Sequence, residues 1–171
     1  AVKLEGGRKR LAMIEALVDA EIPVMGHLGL TPQSVHAMGG FKVQAKSSDA
    51  AMVLVADAKA LAHAGCFAIV LEGVPSEVAS LVTAAVDVPI IGAGAGADVD
   101  GQVLVYHDVL GIEDRITPKF VRRYADVKAA SVAAIAAYAD DVRTKAFPGP
   151  DESYHLSAEV AETLGLYGRP N

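Results

Sequence analysis

The stretch Cys-Phe-Ala-Ile-Val-Leu-Glu at residues 66–72 is a run of six apolar residues that ends in a carboxylate. Such continuous hydrophobicity over so few residues is typical of a strand that is buried on both faces of a parallel sheet. We place the strand at residues 67–72. Four more short apolar runs have the same character, at residues 1–5, 23–28, 88–92 and 102–107. The sequence therefore predicts five parallel strands.

Helical patterns lie between these strands. Residues 8–20 and 49–64 repeat apolar side chains at helical spacing, and Ser76 is a suitable N-cap for a third helix over residues 77–86. Alternation of strands and helices indicates right-handed crossover units, and hence an α/β fold.

The chain after the fifth strand predicts more helix. A long helix is expected from Pro118 to Ala146, with an apolar stripe that buries one face, and a short helix near residues 157–164. We assign residues 1–148 to the C-terminal part of a single barrel domain and residues 149–171 to a C-terminal tail.

Two α/β architectures fit five strands. A closed (β/α)8 TIM barrel takes about 250 residues, so a chain of 171 residues corresponds to its last five strands or so. An open, doubly wound sheet is the alternative, because five strands would complete it. Since the first residues already resemble a strand interior and no initiator methionine is present, we expect the chain to begin partway through a larger protein.

Composition argues against several classes of partner. The formal net charge is -6 and the basic residues are scattered, so we expect no nucleic acid partner. The most apolar stretch, residues 129–139, is much shorter than the roughly 20 residues that cross a bilayer, so we expect no membrane span. The single cysteine, Cys66, excludes a disulfide framework and favours a buried structural thiol in a cytoplasmic protein.

Polar side chains stand where the apolar runs stop, which is where a parallel barrel carries its active site. Lys3 and Glu5 are two residues apart on the first strand, so they share one face of it. His27 ends the second strand, and Glu72 ends the third. A carboxylate at the end of a buried strand suits a general base, and a neighbouring cation and carboxylate suit an anionic substrate beside a hard metal ion.

Each of these residues also has a structural interpretation. Glu72 is equally compatible with capping a backbone turn, and Lys3 and Glu5 with pairing only with each other. His27 lacks a second ligand at zinc spacing, so a hydrogen-bonding role at the rim is favoured. The glycine run at residues 92–96 is weak evidence for a ligand, and the pair His107-Asp108 is more typical of a solvated strand end.

Six motifs in order resemble the ketopantoate hydroxymethyltransferase family over residues 2 to about 148. The longest is Pro-Val-Met-Gly-His-Leu-Gly-Leu-Thr-Pro-Gln-Ser at residues 23–34. The others are Val-Lys-Leu-Glu-Gly-Gly at 2–7, Gly-Gly-Phe-Lys-Val-Gln at 39–44, Ala-Ile-Val-Leu-Glu at 68–72, Ile-Gly-Ala-Gly-Ala-Gly at 91–96 and Asp-Gly-Gln-Val-Leu-Val at 100–105.

This resemblance implies a TIM barrel of the phosphoenolpyruvate/pyruvate type and a defined reaction. The family transfers a hydroxymethyl group from 5,10-methylenetetrahydrofolate to 3-methyl-2-oxobutanoate, giving 2-dehydropantoate, with Mg²⁺ and through an enolate. Matched residue by residue, Glu72 is expected to be the proton acceptor, Lys3 and His27 to bind substrate, and Glu5 to bind the metal. The family also implies a homo-oligomer, often a decamer.

Two departures from the family pattern affect these expectations. Ala45 stands where the family has a glycine, so a loop that needs a positive φ there would be altered. The family's first strands, which carry two metal-binding aspartates and a substrate-binding serine, have no counterpart in this sequence. We therefore expect the isolated chain to be inactive.

Two further functions remain open from the sequence. One is another magnesium-dependent keto-acid enzyme of the isocitrate lyase-like barrels. The other is a noncatalytic fragment or assembly module, whose long helix after Pro118 docks on another subunit.

Overall fold

The structure is a computed structural model that describes residues 1–166. It contains two compact units, Ala1–Tyr124 and a second unit that begins at Ala125. The strands of the first unit are β1 (Val2–Glu5), β2 (Val24–Gly29), β3 (Ala68–Glu72), β4 (Ile90–Ala93) and β5 (Gly101–Gln102). Its helices are α1 (Leu11–Asp19), α2 (Ser48–His63), α3 (Ser76–Thr83) and α4 (Tyr106–Val109), with 3-10 turns at Arg8–Arg10 and Pro32–Ser34. The second unit holds α5 (Val127–Thr144) and α6 (Ala158–Thr163).

All five strands are parallel and lie in the order β1-β2-β3-β4-β5. In an open, doubly wound sheet the strand order reverses at a switch point, whereas in a (β/α) barrel each strand lies beside the next one in sequence. The sequential order therefore confirms the α/β fold as part of a TIM barrel and rejects the doubly wound alternative.

The two faces of this sheet have different contents. Alternate residues such as Val24, Leu28 and Ile69 face the helices and are buried in one hydrophobic core. The register pairs Glu5 with His27 and His27 with Val70, and Glu72 is two residues beyond Val70. These last side chains therefore share the opposite face. The core thus lies between sheet and helices, and the polar residues lie away from it.

The fifth strand is shorter than predicted. The expected strand over residues 102–107 is wrong beyond Gln102, because the backbone bends into α4. Val103 N still donates to Gly92 O at 2.9 Å, but Asp108 N and Val109 N both donate to Val105 O and close a helical turn. The apolar run of residues 103–105 resembled a strand, yet only its beginning is hydrogen-bonded to β4.

The long helix also differs from its prediction. It begins at Val127 rather than at Pro118, because Asp126 caps it by accepting a hydrogen bond from Ala129 N at 3.0 Å. Among the described residues, none of α5 is buried within this chain, so the surface that covers its apolar stripe stays a prediction. The helix ends at Thr144, and Lys145 after it adopts the left-handed conformation typical of C-terminal caps.

The remaining expectations agree more closely. The third helix runs from Ser76 to Thr83 rather than over residues 77–86, and its N-cap is Pro75, so the predicted Ser76 cap is wrong. α6 is capped by Ser157, which accepts from Val160 N. Cys66 is buried as expected, and burial raises the pKa of its thiol. Within residues 1–166, no helix is both long and apolar enough to cross a membrane.

Candidate active site

Four polar side chains meet at the carboxyl ends of β1, β2 and β3. Nζ of Lys3 lies 2.8 Å from Oε1 of Glu5 and 2.9 Å from Nδ1 of His27. Nε2 of His27 lies 3.2 Å from Oε2 of Glu72. The structure therefore brings together all four site residues expected from the sequence, in one continuous series across three strands.

Glu5 is held as a carboxylate by its neighbours. Its Oε1 accepts from Lys3, and its Oε2 accepts from the backbone N–H of Gln33 at 2.9 Å. Burial by itself would raise the pKa of Glu5, but the hydrogen bonds from Lys3 and Gln33 and the nearby positive charge outweigh it and lower the pKa. Glu5 is therefore anionic at neutral pH.

His27 is the buried member of the cluster, with 3% of its surface exposed. Nδ1 is hydrogen-bonded to Lys3, and it also lies 3.6 Å from Oε1 of Glu5. Nε2 is close enough to Glu72 for a hydrogen bond but is not aligned for one. Among the side chains of residues 1–166, it is the buried polar atom that lacks a hydrogen-bond partner.

The backbone around Glu72 is fixed by a close approach of β2. Leu30 N donates to Glu72 O at 2.7 Å, and Gly73 N donates to Ala93 O at 2.8 Å. Gly29, at φ +84°, allows this approach, because a Cβ there would lie 2.3 Å from Glu72 O. The end of β3 is thus held rigidly, while the Glu72 side chain remains partly exposed.

Three members of the cluster, Lys3, His27 and Glu72, line a cleft of about 1430 Å³ in the first unit. Apolar side chains from the loops after β2 and β5, together with Phe120, form much of its wall. In the glycine run at residues 92–96, one glycine is needed for packing against Phe120. Gly94, at φ +67°, admits the Phe120 ring, since a Cβ there would be 2.5 Å from that ring.

Outside the cluster, the residue pattern was less informative about the cleft. Asp108 lines the same cleft from α4, whereas His107 stacks on Tyr106 with ring centroids 3.9 Å apart. The Gln33 N–H contact to Glu5 was not predicted, because a backbone donor has no signature in residue type. The turn Thr-Pro-Gln at residues 31–33 was the available signal, since a proline-initiated turn presents its next N–H groups outward.

The described residues do not by themselves fit a magnesium ion. Residues 1–166 contain no group of three His, Cys, Asp or Glu side chains placed to hold a metal. Both oxygens of Glu5 are hydrogen-bonded, to Lys3 and to Gln33 N. Mg²⁺ prefers several oxygen ligands in octahedral geometry, and one carboxylate does not supply them.

A sequential parallel sheet with four contacting polar side chains at the carboxyl ends of its strands defines the class: this is part of a (β/α)8 barrel with a candidate site at the strand ends. The model of the family described as ketopantoate hydroxymethyltransferase matches residues 1–150, and the chain belongs to that family.

Curated relatives agree with the family. The chain is 56% identical over 166 residues to a 3-methyl-2-oxobutanoate hydroxymethyltransferase of Koribacter versatilis, covering 97% of this chain and 56% of the relative. It is 57% identical over 164 residues to 3-methyl-2-oxobutanoate hydroxymethyltransferase 2 of Bradyrhizobium diazoefficiens, covering 96% and 56%. A protein of the same name from Syntrophobacter fumaroxidans is 54% identical, with 96% and 58% covered. The chain thus spans little more than half the length of these relatives.

Proposed function

We propose that this chain supplies the carboxyl-terminal strands of an enzyme that hydroxymethylates 3-methyl-2-oxobutanoate. The hydroxymethyl carbon would come from 5,10-methylenetetrahydrofolate, water would supply the hydroxyl oxygen, and the products would be 2-dehydropantoate and tetrahydrofolate. One observation supports this most: Lys3, Glu5, His27 and Glu72 form a single contact series at the strand ends. The names of the relatives support the same substrate.

Glu72 is the proposed proton acceptor. Its side chain is partly exposed at the cleft, and its backbone is fixed by hydrogen bonds from β2 and to β4. It would take the proton from C3 of the keto acid, leaving an enolate whose C3 forms the new bond to the one-carbon unit. A rigid backbone with an accessible carboxylate suits a proton transfer that requires defined geometry.

Lys3 and His27 are the proposed substrate-binding groups. The side chain of Lys3 is 42% exposed and lines the cleft, so its ammonium is available to the carboxylate of an entering keto acid. His27 has a buried N–H or lone pair at Nε2 without a hydrogen bond, which a substrate oxygen or Glu72 would satisfy.

Magnesium is proposed only for the complete enzyme. Glu5 would contribute one oxygen ligand, and the other ligands would have to come from outside residues 1–166. When bound, the ion would polarise the keto oxygen. We likewise propose a homo-oligomer, up to a decamer, in the cytoplasm, with the keto acid and the folate as small-molecule partners.

The test uses the full native gene product, with its intact mass determined first. Loss of the C3 proton is followed by deuterium incorporation into 3-methyl-2-oxobutanoate in D2O with Mg²⁺, and complete turnover by formation of 2-dehydropantoate. We expect Glu72→Gln to reduce both rates by roughly 100-fold or more, since a positioned base contributes about 10² to 10⁴. Glu77→Gln, in the exposed first turn of α3, is the matched control.

Other outcomes would replace the proposal. Exchange into a different keto acid, with none into this one, would indicate an enzyme of the isocitrate lyase-like barrels. A product of 17.7 kDa that assembles but shows neither exchange nor turnover would indicate a noncatalytic assembly module.

A further inference from the structure

The contact with Lys3 determines where the imidazole of His27 carries its proton. Nζ of Lys3 lies 2.9 Å from Nδ1. A lysine ammonium has three N–H donors and no acceptor, so Nδ1 must be the acceptor. A ring nitrogen that accepts a hydrogen bond carries no proton. The proton of His27 is therefore on Nε2.

The protonated nitrogen faces the proposed base. Nε2 is 3.2 Å from Oε2 of Glu72, without an aligned hydrogen bond to it, and has no hydrogen-bond partner among residues 1–166. The opposite tautomer would be unfavourable at both ends, because it would place an N–H against the Lys3 ammonium and a lone pair against the Glu72 carboxylate. The Nε2–H tautomer is thus the arrangement that complements both neighbours.

Little movement is needed to complete a hydrogen bond. His27 is enclosed, with 4% of its side chain exposed, whereas the side chain of Glu72 is 21% exposed. A buried donor that remains unpaired is unfavourable, so a small rotation of the Glu72 carboxylate towards Nε2 is expected. That rotation would leave the second carboxylate oxygen for the substrate.

We propose that Lys3 is a positioning residue: it fixes His27 as the Nε2–H tautomer, and this N–H orients the Glu72 carboxylate through Oε2. This proposal rests on the proposed role of Glu72 as proton acceptor. It gives Lys3 a function through His27, in addition to any contact with substrate, and explains why a cation adjoins a buried histidine.

The tautomer is measured without reference to activity. Solid-state ¹⁵N spectra of the full native gene product, labelled in histidine, distinguish protonated from unprotonated ring nitrogens, and His27→Gln identifies the His27 signals by their loss. We expect a proton on Nε2 and none on Nδ1, with the single tautomer lost in Lys3→Met and kept in Lys59→Met. Lys59 is exposed on α2, on the far side of the sheet. A proton on Nδ1, or an unchanged tautomer in Lys3→Met, would overturn the proposal.

Kinetics test the second half of the proposal. In the deuterium exchange assay, His27→Leu should slow exchange by about 10- to 100-fold, the range expected when a hydrogen bond to a charged group is lost. In His27→Gln the amide N–H reaches towards the position of Nε2. This variant should therefore exchange at least tenfold faster than His27→Leu. Equal impairment in the two variants would refute orientation by Nε2–H. If the unsubstituted protein shows no exchange, the proposed function fails while the spectra still decide the role of Lys3.

Discussion

Ala45 is a residue at which the sequence and the backbone conflict. Its φ is +54°, a left-handed conformation in which the Cβ of any L-residue is crowded. The preceding residue is anchored, since Gln44 N donates to Gly73 O at 2.9 Å. The loop therefore keeps its course at the expense of strain at Ala45. The family glycine at this position has a conformational explanation.

Ala45→Gly should stabilise the protein. Relief of the left-handed conformation gains about 1–2 kcal/mol, and loss of a partly buried methyl group costs up to about 0.8 kcal/mol, so we expect a net gain of at least about 0.2 kcal/mol. Urea unfolding of the native gene product measures this change in the free energy of unfolding. Ala56→Gly, within α2, is the control and should cost about 1 kcal/mol. A loss of stability in Ala45→Gly would show that the methyl contact matters more than the strain.

Glu5 predicts a pH dependence of stability. Its folded pKa is lowered below 4.5 because hydrogen bonds from Lys3 and Gln33 outweigh burial, so folding favours the carboxylate. Its contribution is therefore complete above about pH 4.5 and is lost as the pH falls through the lowered folded pKa. We expect the free energy of unfolding of wild type to exceed that of Glu5→Gln near pH 6, with the difference shrinking towards pH 3.

Urea titrations at several pH values measure this difference. Glu15→Gln, in the exposed face of α1, removes a carboxylate without removing those hydrogen bonds. A difference between wild type and Glu5→Gln that stays constant down to pH 3 would contradict the lowered pKa.

The candidate site residues were predictable because a strand end is visible in sequence. Alternation places Lys3 and Glu5 on one face, and a charged residue that stops an apolar run, such as Glu72, marks the carboxyl edge. The contact between Lys3 and Nδ1 of His27 was not predictable. It depends on the register of β1 against β2, which pairs Glu5 with His27, and register is set by tertiary packing.

At the scale of the elements, the start of α5 shows where pattern analysis fails. Phe120 and Tyr124 fit the spacing of the apolar residues in α5, yet they precede the helix. Phe120 packs beside Gly94, and Tyr124 N donates to Val109 O at 2.8 Å. Tertiary contacts thus override periodicity there, and the cap at Asp126 fixes the actual start.

Asp126→Ala should weaken α5 at its first turn. Loss of an N-cap costs about 0.5–2 kcal/mol, because the N–H of Ala129 loses its acceptor. Amide hydrogen exchange of the first turn should become faster, by roughly tenfold. Asp140→Ala, near the other end of the helix, should leave that turn unchanged, and equal effects of both substitutions would contradict the capping role.

At the scale of the whole molecule, the order of the strands in the sheet distinguishes a barrel from a doubly wound fold. The hydrophobic pattern predicts the number of strands but not their order in the sheet. Five strands were therefore compatible with both a barrel and a doubly wound sheet. The sequential parallel order distinguishes them. The short β5 could not be predicted, because its length depends on where the chain leaves β4.

The 171-residue chain alone should not bind Mg²⁺ tightly. Residues 1–166 contain no cluster of three candidate ligands, and Lys3 and Gln33 occupy the oxygens of Glu5. Titration calorimetry of the isolated chain should give no heat of binding at micromolar to submillimolar Mg²⁺, and the chain should show no turnover. The control is the same titration of a curated full-length relative. Tight binding or turnover by the chain alone would contradict this expectation.

The division of the sheet into a core face and a cleft face has a consequence for how this chain tolerates change over evolutionary time. Positions on opposite faces of a strand are under different selection. Leu28 and Ile69 are buried in the core and serve stability, whereas His27 and Glu72 face the cleft, where the proposed reaction would constrain them. A lineage that lost the reaction would be free to vary every second residue at the strand ends while retaining the others. Sequence variation confined to alternate positions at the strand ends would therefore indicate a descendant that retains the fold but no longer catalyses the reaction.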